Sequence, residues 1–300
     1  MNLICKNIFL GFLLIVSSSC SDSPQQPDPD FIPNNTKNSF KNLASPIVFI
    51  DEAHHNFHTI KGRYKAFAQV LRSDGYTVES GKKKFTLKYL KQADILVIAN
   101  ALDTNRRDYK PPYGDAFEDE EVEAVKKWVS QGGSLFFIAD HAPFPKVSHK
   151  LAVAFGFEFN NGSVDVATFN IDNNSLAQHV ITKGAPNLER IVQIKSLGGS
   201  AFKIPHNAKP LLTLGKGATS FMSDIPLQVS AGAHKISMDG WYQGAVLEVG
   251  KGRVAVFSEA MMFTSQVYIP TGKKMGLVSY GAEQNEQFLL NVMHWLSGLI

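Results

Sequence analysis

The stretch that decides the fold is IVFIDEAHHNFHTIKGRY, residues 47–64. Residues 47–50 are apolar and mostly β-branched or aromatic, which is typical of a strand buried on both faces of a parallel sheet. The chain then becomes polar within one residue, and a helix is predicted to begin near Gly62. Because ligands of open α/β sheets bind at the carboxyl ends of strands, the loop after residue 50 is predicted to form the floor of a site.

The same alternation continues along the first half of the chain. Residues 93–99 (ADILVIA) and 134–139 (SLFFIA) predict two more buried strands, and residues 119–130 predict an amphipathic helix between them. Alternating strands and helices form right-handed βαβ units. The sequence therefore predicts the α/β class, a flavodoxin-like open and mostly parallel sheet with helices on both faces.

The second half of the chain is less regular and predicts β-rich additions to that sheet. A closing helix is expected from residue 285 to residue 299, where apolar residues recur at helical spacing. Short strands are expected at residues 179–182, 191–197, 211–213, 245–248 and 253–257.

Polar side chains follow each predicted parallel strand. Asp51 and Glu52 follow the first strand, Asn100 the second, and Asp140 and His141 the third. The carboxyl ends of parallel strands meet at one edge of a sheet, so these groups are expected to lie close together.

Imidazoles and carboxylates in this arrangement point to general acid–base chemistry, because histidine titrates near neutral pH and a carboxylate tunes it. His55 and His141 are predicted to be the catalytic base and acid, with Glu52 tuning one imidazole and Asp140 orienting the other. The predicted substrate-binding residues are Asp51, His54, His58, Arg63, Tyr64, Asn100 and Glu259.

Two structural interpretations stay open at this level. Asp51 and Glu52 could cap the loop that follows them, and Glu259 could cap a helix that begins near Met261. A divalent metal bound by imidazole and carboxylate groups is the other chemical alternative, but the spacing matches no dedicated zinc motif such as HExxH. The prediction assigns no metal ligand and no cofactor, with a divalent metal as the open alternative.

The amino end indicates export. An apolar run at residues 8–16 and small residues 17–19 precede Cys20, as in a bacterial lipoprotein signal, although Ser17 stands where such signals usually carry leucine. We expect a signal peptide at residues 1–19, acylation (palmitate) of Cys20, a disordered tether at residues 20–45 that holds the domain off a membrane, and a single domain at residues 46–300.

Composition limits the partners. The net charge of +3 and the absence of a dense basic run beyond residues 82–84 give no support to nucleic-acid binding. Both cysteines precede the predicted domain, so no disulfide and no cysteine nucleophile are expected in it.

Several motifs carry a resemblance to a known superfamily. They are DEAHHNFHT followed by GRY, IANAL, GGSLFFIADH, SEAMMFTSQ and QNEQFLLNVMHWL, and the resemblance covers residues 45–298. With these motifs the chain resembles the class I glutamine-amidotransferase-like superfamily, and within it a secreted or membrane-linked bacterial branch. The resemblance implies the α/β fold. It does not imply glutaminase activity, because residues 138–143 (IADHAP) replace the nucleophile elbow and contain no cysteine or serine.

The predicted export from the cytoplasm limits the substrates that can be expected. Outside the cytoplasm there is no ready supply of nucleotides, so no nucleotide partner is expected. A site of imidazoles and carboxylates suits elimination on an acidic sugar. We therefore expect a lipoprotein of the cell envelope, in the outer membrane or facing the periplasm, that acts as a carbohydrate lyase or dehydratase on uronate-containing oligosaccharides in polysaccharide degradation. A non-catalytic envelope binding or structural module and a metal-dependent hydrolase are the alternatives.

Overall fold

The computed structural model describes residues 23–106, 109–184, 189–222 and 233–300. The predicted signal peptide and Cys20 lie outside these ranges. The described strands are β1 (Gln25–Pro27), β2 (Ile47–Asp51), β3 (Thr77–Gly81), β4 (Ile95–Ala99), β5 (Ser134–Ile138), β6 (Glu158–Phe159), β7 (Ser163–Val164), β8 (Ala167–Asn170), β9 (Gln193–Ser196), β10 (Phe202–Lys203), β11 (Lys209–Thr213), β12 (Thr219–Met222), β13 (His234–Ser237), β14 (Tyr242–Val249), β15 (Gly252–Phe257), β16 (Ser265–Tyr268) and β17 (Lys273–Gly276). The described helices are α1 (Lys65–Ser73), α2 (Leu87–Leu90), α3 (Asp119–Ser130), α4 (Phe144–Val147), α5 (His149–Ala154), α6 (Val180–Lys183) and α7 (Asn285–Leu296), with a 3₁₀ turn at Met261–Phe263.

One mixed sheet organises the domain. Its parallel part has the spatial order β3-β2-β4-β5-β15. Counted along the chain, these five strands stand in the order 2-1-3-4-5, which is the order of flavodoxin-like sheets. Strand β14 then pairs antiparallel with β15, and β10, β6 and β11 extend the sheet beyond β14. The predicted α/β class is confirmed, and the sheet is more strongly mixed than a flavodoxin-like one.

Both faces of the sheet are covered, which explains why its strands are apolar throughout. Successive residues of a strand point to opposite faces. Val48 and Ile50 pack in a core that includes residues of α1 and α7. Phe49, between them, packs in a second core that includes residues of α3 and α5. Because both faces are covered, polar side chains of the sheet can meet a ligand only at the strand ends.

One strand prediction is wrong. The sequence predicts a strand at residues 179–182, but residues Val180–Lys183 form α6. His179 and Thr182 make a reciprocal cap: the His179 ring nitrogen accepts the N–H of Ile181, and the Thr182 hydroxyl accepts the N–H of His179 at 2.9 Å. These local hydrogen bonds outweigh the weak β-propensity of the segment.

The segment predicted to be a disordered tether is ordered on the domain from residue 23 onward. Strand β1 pairs with β16, and Phe31 and Phe40 are buried. The backbone N–H of Asn35 donates to the Glu286 carboxylate of α7 at 2.9 Å. The composition suggested disorder because most of the segment is polar, yet two buried aromatic rings and paired backbone groups are enough to fix it.

None of the helices within the described ranges has both the length and the apolar character needed to cross a bilayer.

Candidate functional site

Four neighbouring parallel strands end in polar residues at the same edge of the sheet. Asp51 is the last residue of β2, and Asn100 directly follows β4. Asp140 follows β5 by two residues, and Glu259 follows β15 by two. The edge includes the crevice between β2 and β4, the first and third parallel strands along the chain, which is the expected ligand position for this strand order. The sequence predicted this convergence for Asp51, Asn100 and Asp140.

Asn100 connects two of these strand ends. It has a positive φ of 57°, and its Oδ1 accepts the backbone N–H of Asp140 at 2.9 Å. That bond fixes the orientation of the amide, so Nδ2 is the atom that faces His58 Nδ1 at 3.3 Å. Because Nδ2 only donates, His58 Nδ1 accepts and the proton of the neutral ring lies on Nε2.

The protonation state of His58 follows from its surroundings. Burial lowers its pKa well below the ordinary 6.5, and the positive charge of Arg63, with that of His141 whenever its ring is protonated, lowers it further. His58 is therefore a neutral imidazole at neutral pH, with an N–H at Nε2 that can donate a hydrogen bond.

His141 has the complementary tautomer. Its Nδ1 lies 2.7 Å from the carbonyl oxygen of Ala142. A carbonyl only accepts, so Nδ1 carries a proton, and in the neutral ring the lone pair lies on Nε2. The side chain is half-buried, which makes His141 Nε2 a base within reach of a ligand.

Two buried carboxyl groups lie behind these imidazoles. Asp140 accepts the backbone N–H groups of His141 at 2.7 Å and of Ala260 at 3.1 Å, so it orients backbone rather than the His141 ring. Glu259 accepts the N–H groups of residues 197, 261 and 262. Burial, together with the negative charge of Asp140, raises the pKa of Glu259 to about 8 in spite of those donors. Glu259 thus caps the 3₁₀ turn and holds a proton at neutral pH.

Glu259 is held from the other side by a glycine turn. Gly199 has a φ of +87°, and a β-carbon there would lie 2.1 Å from the carbonyl oxygen of Ser258 and 2.8 Å from the β-carbon of Glu259. Only glycine fits both the backbone conformation and the space. Gly199 therefore lets the loop pack directly against the Glu259 side chain.

Tyr64 completes this inner layer. It is fully buried, and its hydroxyl has no hydrogen-bond partner within the described structure. Its ring centroid lies 4.8 Å from that of His58, and burial together with the charges of Glu259 and Asp140 raises its pKa well above 10.0. A buried hydroxyl without a protein partner is uncommon and requires an explanation, such as a bound water molecule or a ligand.

The mouth of the site is aromatic and cationic. The Arg63 guanidinium lies 4.1 Å from the ring centroid of Phe57. The rings of Phe57, Tyr109 and Phe144 approach one another within 5.7 to 6.0 Å, and Phe144 lies 5.6 Å from His141. Burial lowers the pKa of Arg63, while the charges of Tyr109 and Asp140 oppose that shift. Arg63 remains positively charged at neutral pH and places that charge at the mouth of the site.

His54 and Asp51 belong to the fold rather than to the ligand site. His54 is buried with Nδ1 2.9 Å from Asp51 Oδ2 and Nε2 2.9 Å from Glu121 Oε1. Carboxylates on both ring nitrogens require both to donate. Burial alone would lower the pKa of His54, but the hydrogen bonds and charges of Asp51 and Glu121 outweigh it and raise the pKa.

The other two predicted catalytic residues lie at the rim of the loop. Glu52 Oε1 accepts the backbone N–H of Ile60 at 2.9 Å, so it caps the loop, which was the structural alternative. His55 is exposed, with a positive φ of 50°. The imidazole that lies within electrostatic range of His141 is that of His58. An acid–base role for His55 stays a prediction.

Sequence reasoning missed Glu121 and the aromatic mouth. Glu121 forms a capping box with Glu118 at the start of α3, a pattern visible as E-x-x-E before an apolar run. Phe57 and Tyr109 come from two separate loops and Phe144 from the start of α4, so no sequence periodicity joins them.

No group of three histidine, cysteine, aspartate or glutamate side chains in the described ranges is arranged to hold a metal ion.

Comparison with known proteins shows the fold. No family model matches the chain, and no curated protein matches it. Among solved structures it is similar to the mmIFT52 N-terminal domain, with a TM-score of 0.57 and 15% identity over 84% of this chain and 97% of that one.

Two ThuA-like proteins are also similar. The one from Bacteroides uniformis has a TM-score of 0.49 and 12% identity over 85% of this chain and 94% of its own. The one from Parabacteroides merdae has a TM-score of 0.46 and 13% identity over 84% and 90%. At such identities likeness concerns fold and not function. The lipoprotein branch of the amidotransferase-like superfamily stays a prediction.

Proposed function

We propose that this protein is a cell-envelope lipoprotein that acts as a carbohydrate lyase or dehydratase on uronate-containing oligosaccharides. The observation that supports the proposal is that one strand edge holds both a possible proton acceptor and possible proton donors. His141 offers a lone pair at the half-buried mouth, while Glu259 and the unpartnered Tyr64 hydroxyl hold protons behind it. An elimination needs a base and an acid of this kind on one substrate.

The arrangement supports a balanced elimination. Arg63 pairs with the uronate carboxylate and thereby stabilises negative charge that develops on the adjacent carbon. His141 Nε2 takes the proton from that carbon, the C–H electrons form a carbon–carbon double bond, and the bond to the leaving oxygen breaks. The leaving oxygen takes the hydroxyl proton of Tyr64. The Tyr64 phenolate then takes the proton of Glu259 through a water molecule, because the hydroxyl has no direct partner within the described structure. When the product leaves, the proton on His141 passes through solvent to Glu259, and all three groups return to their starting states. His58 donates its Nε2–H to the substrate and stays neutral throughout.

The mouth supports a sugar as the substrate. Phe57 and Tyr109, both partly exposed, form an aromatic surface beside Arg63 above the buried ring of Phe144. Aromatic rings cover the apolar faces of sugars, and a guanidinium binds a carboxylate through paired hydrogen bonds.

The test is a panel of uronate-containing oligosaccharides with ultraviolet detection. Elimination creates a conjugated double bond, so absorbance is expected to rise without water entering the products. Activity that disappears with a chelator and returns with a divalent ion would favour the metal-dependent hydrolase instead. Glycan binding without turnover, unchanged in His141→Ala, would favour the binding module.

Replacing Arg63 with alanine is expected to raise KM for uronate substrates by about tenfold to a hundredfold, because a hydrogen bond to a charged group is worth ~1.5–3 kcal/mol. Arg63→Lys should recover only part of the loss, since lysine lacks the planar fork. Initial rates on an acidic glycan and its methyl ester measure this. An equal KM change on both would contradict a carboxylate-binding role.

Replacing Cys20 with alanine is expected to leave an unacylated precursor or a soluble periplasmic form. The reason is the run of small residues before Cys20. Mass spectrometry of the mature amino terminus measures the acyl group. A wild-type protein without an acyl group would contradict the lipoprotein assignment.

A further inference from the structure

The described chain begins beside the mouth of the candidate site. Ser23 Oγ accepts a hydrogen bond from Arg63 Nη2 at 2.7 Å, and Arg63 in turn lies over Phe57. Cys20 stands three positions before Ser23. Three residues of extended chain reach at most about 10 Å. An acyl group on Cys20 therefore starts within a short distance of the mouth, because residues 23–45 do not form a free tether.

A hairpin flanks this point of attachment. Strand β1 pairs with β16, and the N–H of Ile269 donates to the Pro24 carbonyl at 2.8 Å. The tip between β16 and β17 exposes Ile269 to 60%, and Pro270 and Lys273 beside it are also exposed. An exposed apolar side chain beside a cation suits the interface of an anionic membrane.

We propose that the tip of the β16–β17 hairpin rests on the bilayer that holds the acylated amino terminus, so that the mouth of the site opens beside the lipid surface. The substrate class that fits this orientation is an acidic glycan carried on a membrane lipid. This inference rests on the lipoprotein and lyase assignments above and deepens them. It replaces the expectation that a tether holds the domain away from the membrane.

The two faces of the sheet give a matched pair of probe positions. Thr271 is exposed at the tip of the hairpin, whose strand β16 contacts α1, and Val153 is exposed on α5, which packs on the opposite face of the sheet from α1. Both native cysteines precede residue 21, and an acylated Cys20 has no free thiol. A cysteine introduced at Thr271 or Val153 is therefore the single labelling site of the mature lipoprotein.

The experiment places an environment-sensitive fluorophore at Thr271→Cys or at Val153→Cys. The acylated protein is reconstituted into phosphatidylethanolamine–phosphatidylglycerol vesicles that contain lipids with a spin label on the acyl chain. We expect strong quenching and a blue shift at position 271, neither at position 153, and loss of the quenching at 271 when Ile269→Asp is added. Equal quenching at the two positions, no quenching at 271, or a mature protein without an acyl group would overturn the proposal.

The membrane orientation and the lyase activity are tested by separate measurements. Quenching is measured without substrate and is expected to be unchanged in His141→Ala. The test of membrane orientation therefore does not depend on turnover. A uronate oligosaccharide coupled to a lipid in the same vesicles should be consumed faster than the free oligosaccharide at the same total concentration. Equal rates on the two would overturn the assignment of a membrane-borne substrate.

Discussion

Replacing His141 with alanine is expected to lower kcat/KM on a uronate oligosaccharide by about a hundredfold to ten-thousandfold, the usual contribution of a general acid or base. The reason is the tautomer that the Ala142 carbonyl imposes, which leaves Nε2 of a half-buried ring as a base. Thermal unfolding should change little, because the described hydrogen bond of the ring is to its neighbouring residue.

The matched control is His149→Ala, an exposed imidazole at the start of α5. It should leave both turnover and stability unchanged. Steady-state rates across pH, with calorimetry on the same preparations, make the comparison. Turnover that survives in His141→Ala would remove His141 as the base and return attention to the exposed His55.

Replacing His54 with alanine is expected to destabilise the protein by about 3–5 kcal/mol, the usual cost of breaking a buried ion pair by removing one partner. Asp51 and Glu121 would then remain buried without the imidazolium between them. Denaturant unfolding of wild type and His54→Ala measures the difference, and His149→Ala again serves as the surface control.

The loss should depend on pH in a defined direction. The folded pKa of His54 is raised above 6.5, so its contribution is complete below pH 6.5 and disappears as pH rises through the folded value. Burial would raise the pKa of Glu121, but hydrogen bonds from the backbone of Glu118 and Phe85, and then His54, lower it below 4.5. The contribution of Glu121 is therefore lost as pH falls through that lowered value. If the difference in unfolding free energy between wild type and His54→Ala instead grows at alkaline pH, this assignment is contradicted.

The sequence predicts the sheet well because burial on both faces leaves an unambiguous apolar signal. Strands β2, β4 and β5 and helix α3 lie where apolar runs and helical spacing place them. Residues 179–182 show the limit, because a local cap decided their conformation.

For the site as well, some residues could be predicted from the sequence and others could not. Strand ends that meet at one edge follow from parallel topology, so Asn100, Asp140 and Glu259 could be named from the sequence. Which imidazole faces inward could not, because His54, His55 and His58 lie in one irregular loop. The structure buries His54 between carboxylates, exposes His55, and places His58 against Asn100. Spacing along a chain does not resolve such differences when the loop has no period.

The proposed elimination requires a transferable proton at this strand edge at neutral pH. A carbon-13 NMR titration of the protein with labelled glutamate carboxyl groups tests it without any substrate. One glutamate carboxyl is expected to titrate with a pKa of about 8, and that signal should be missing in Glu259→Gln. If every glutamate carboxyl instead titrates below about pH 6, within the ordinary range for exposed glutamates, Glu259 is ionised and the proposed acid is absent.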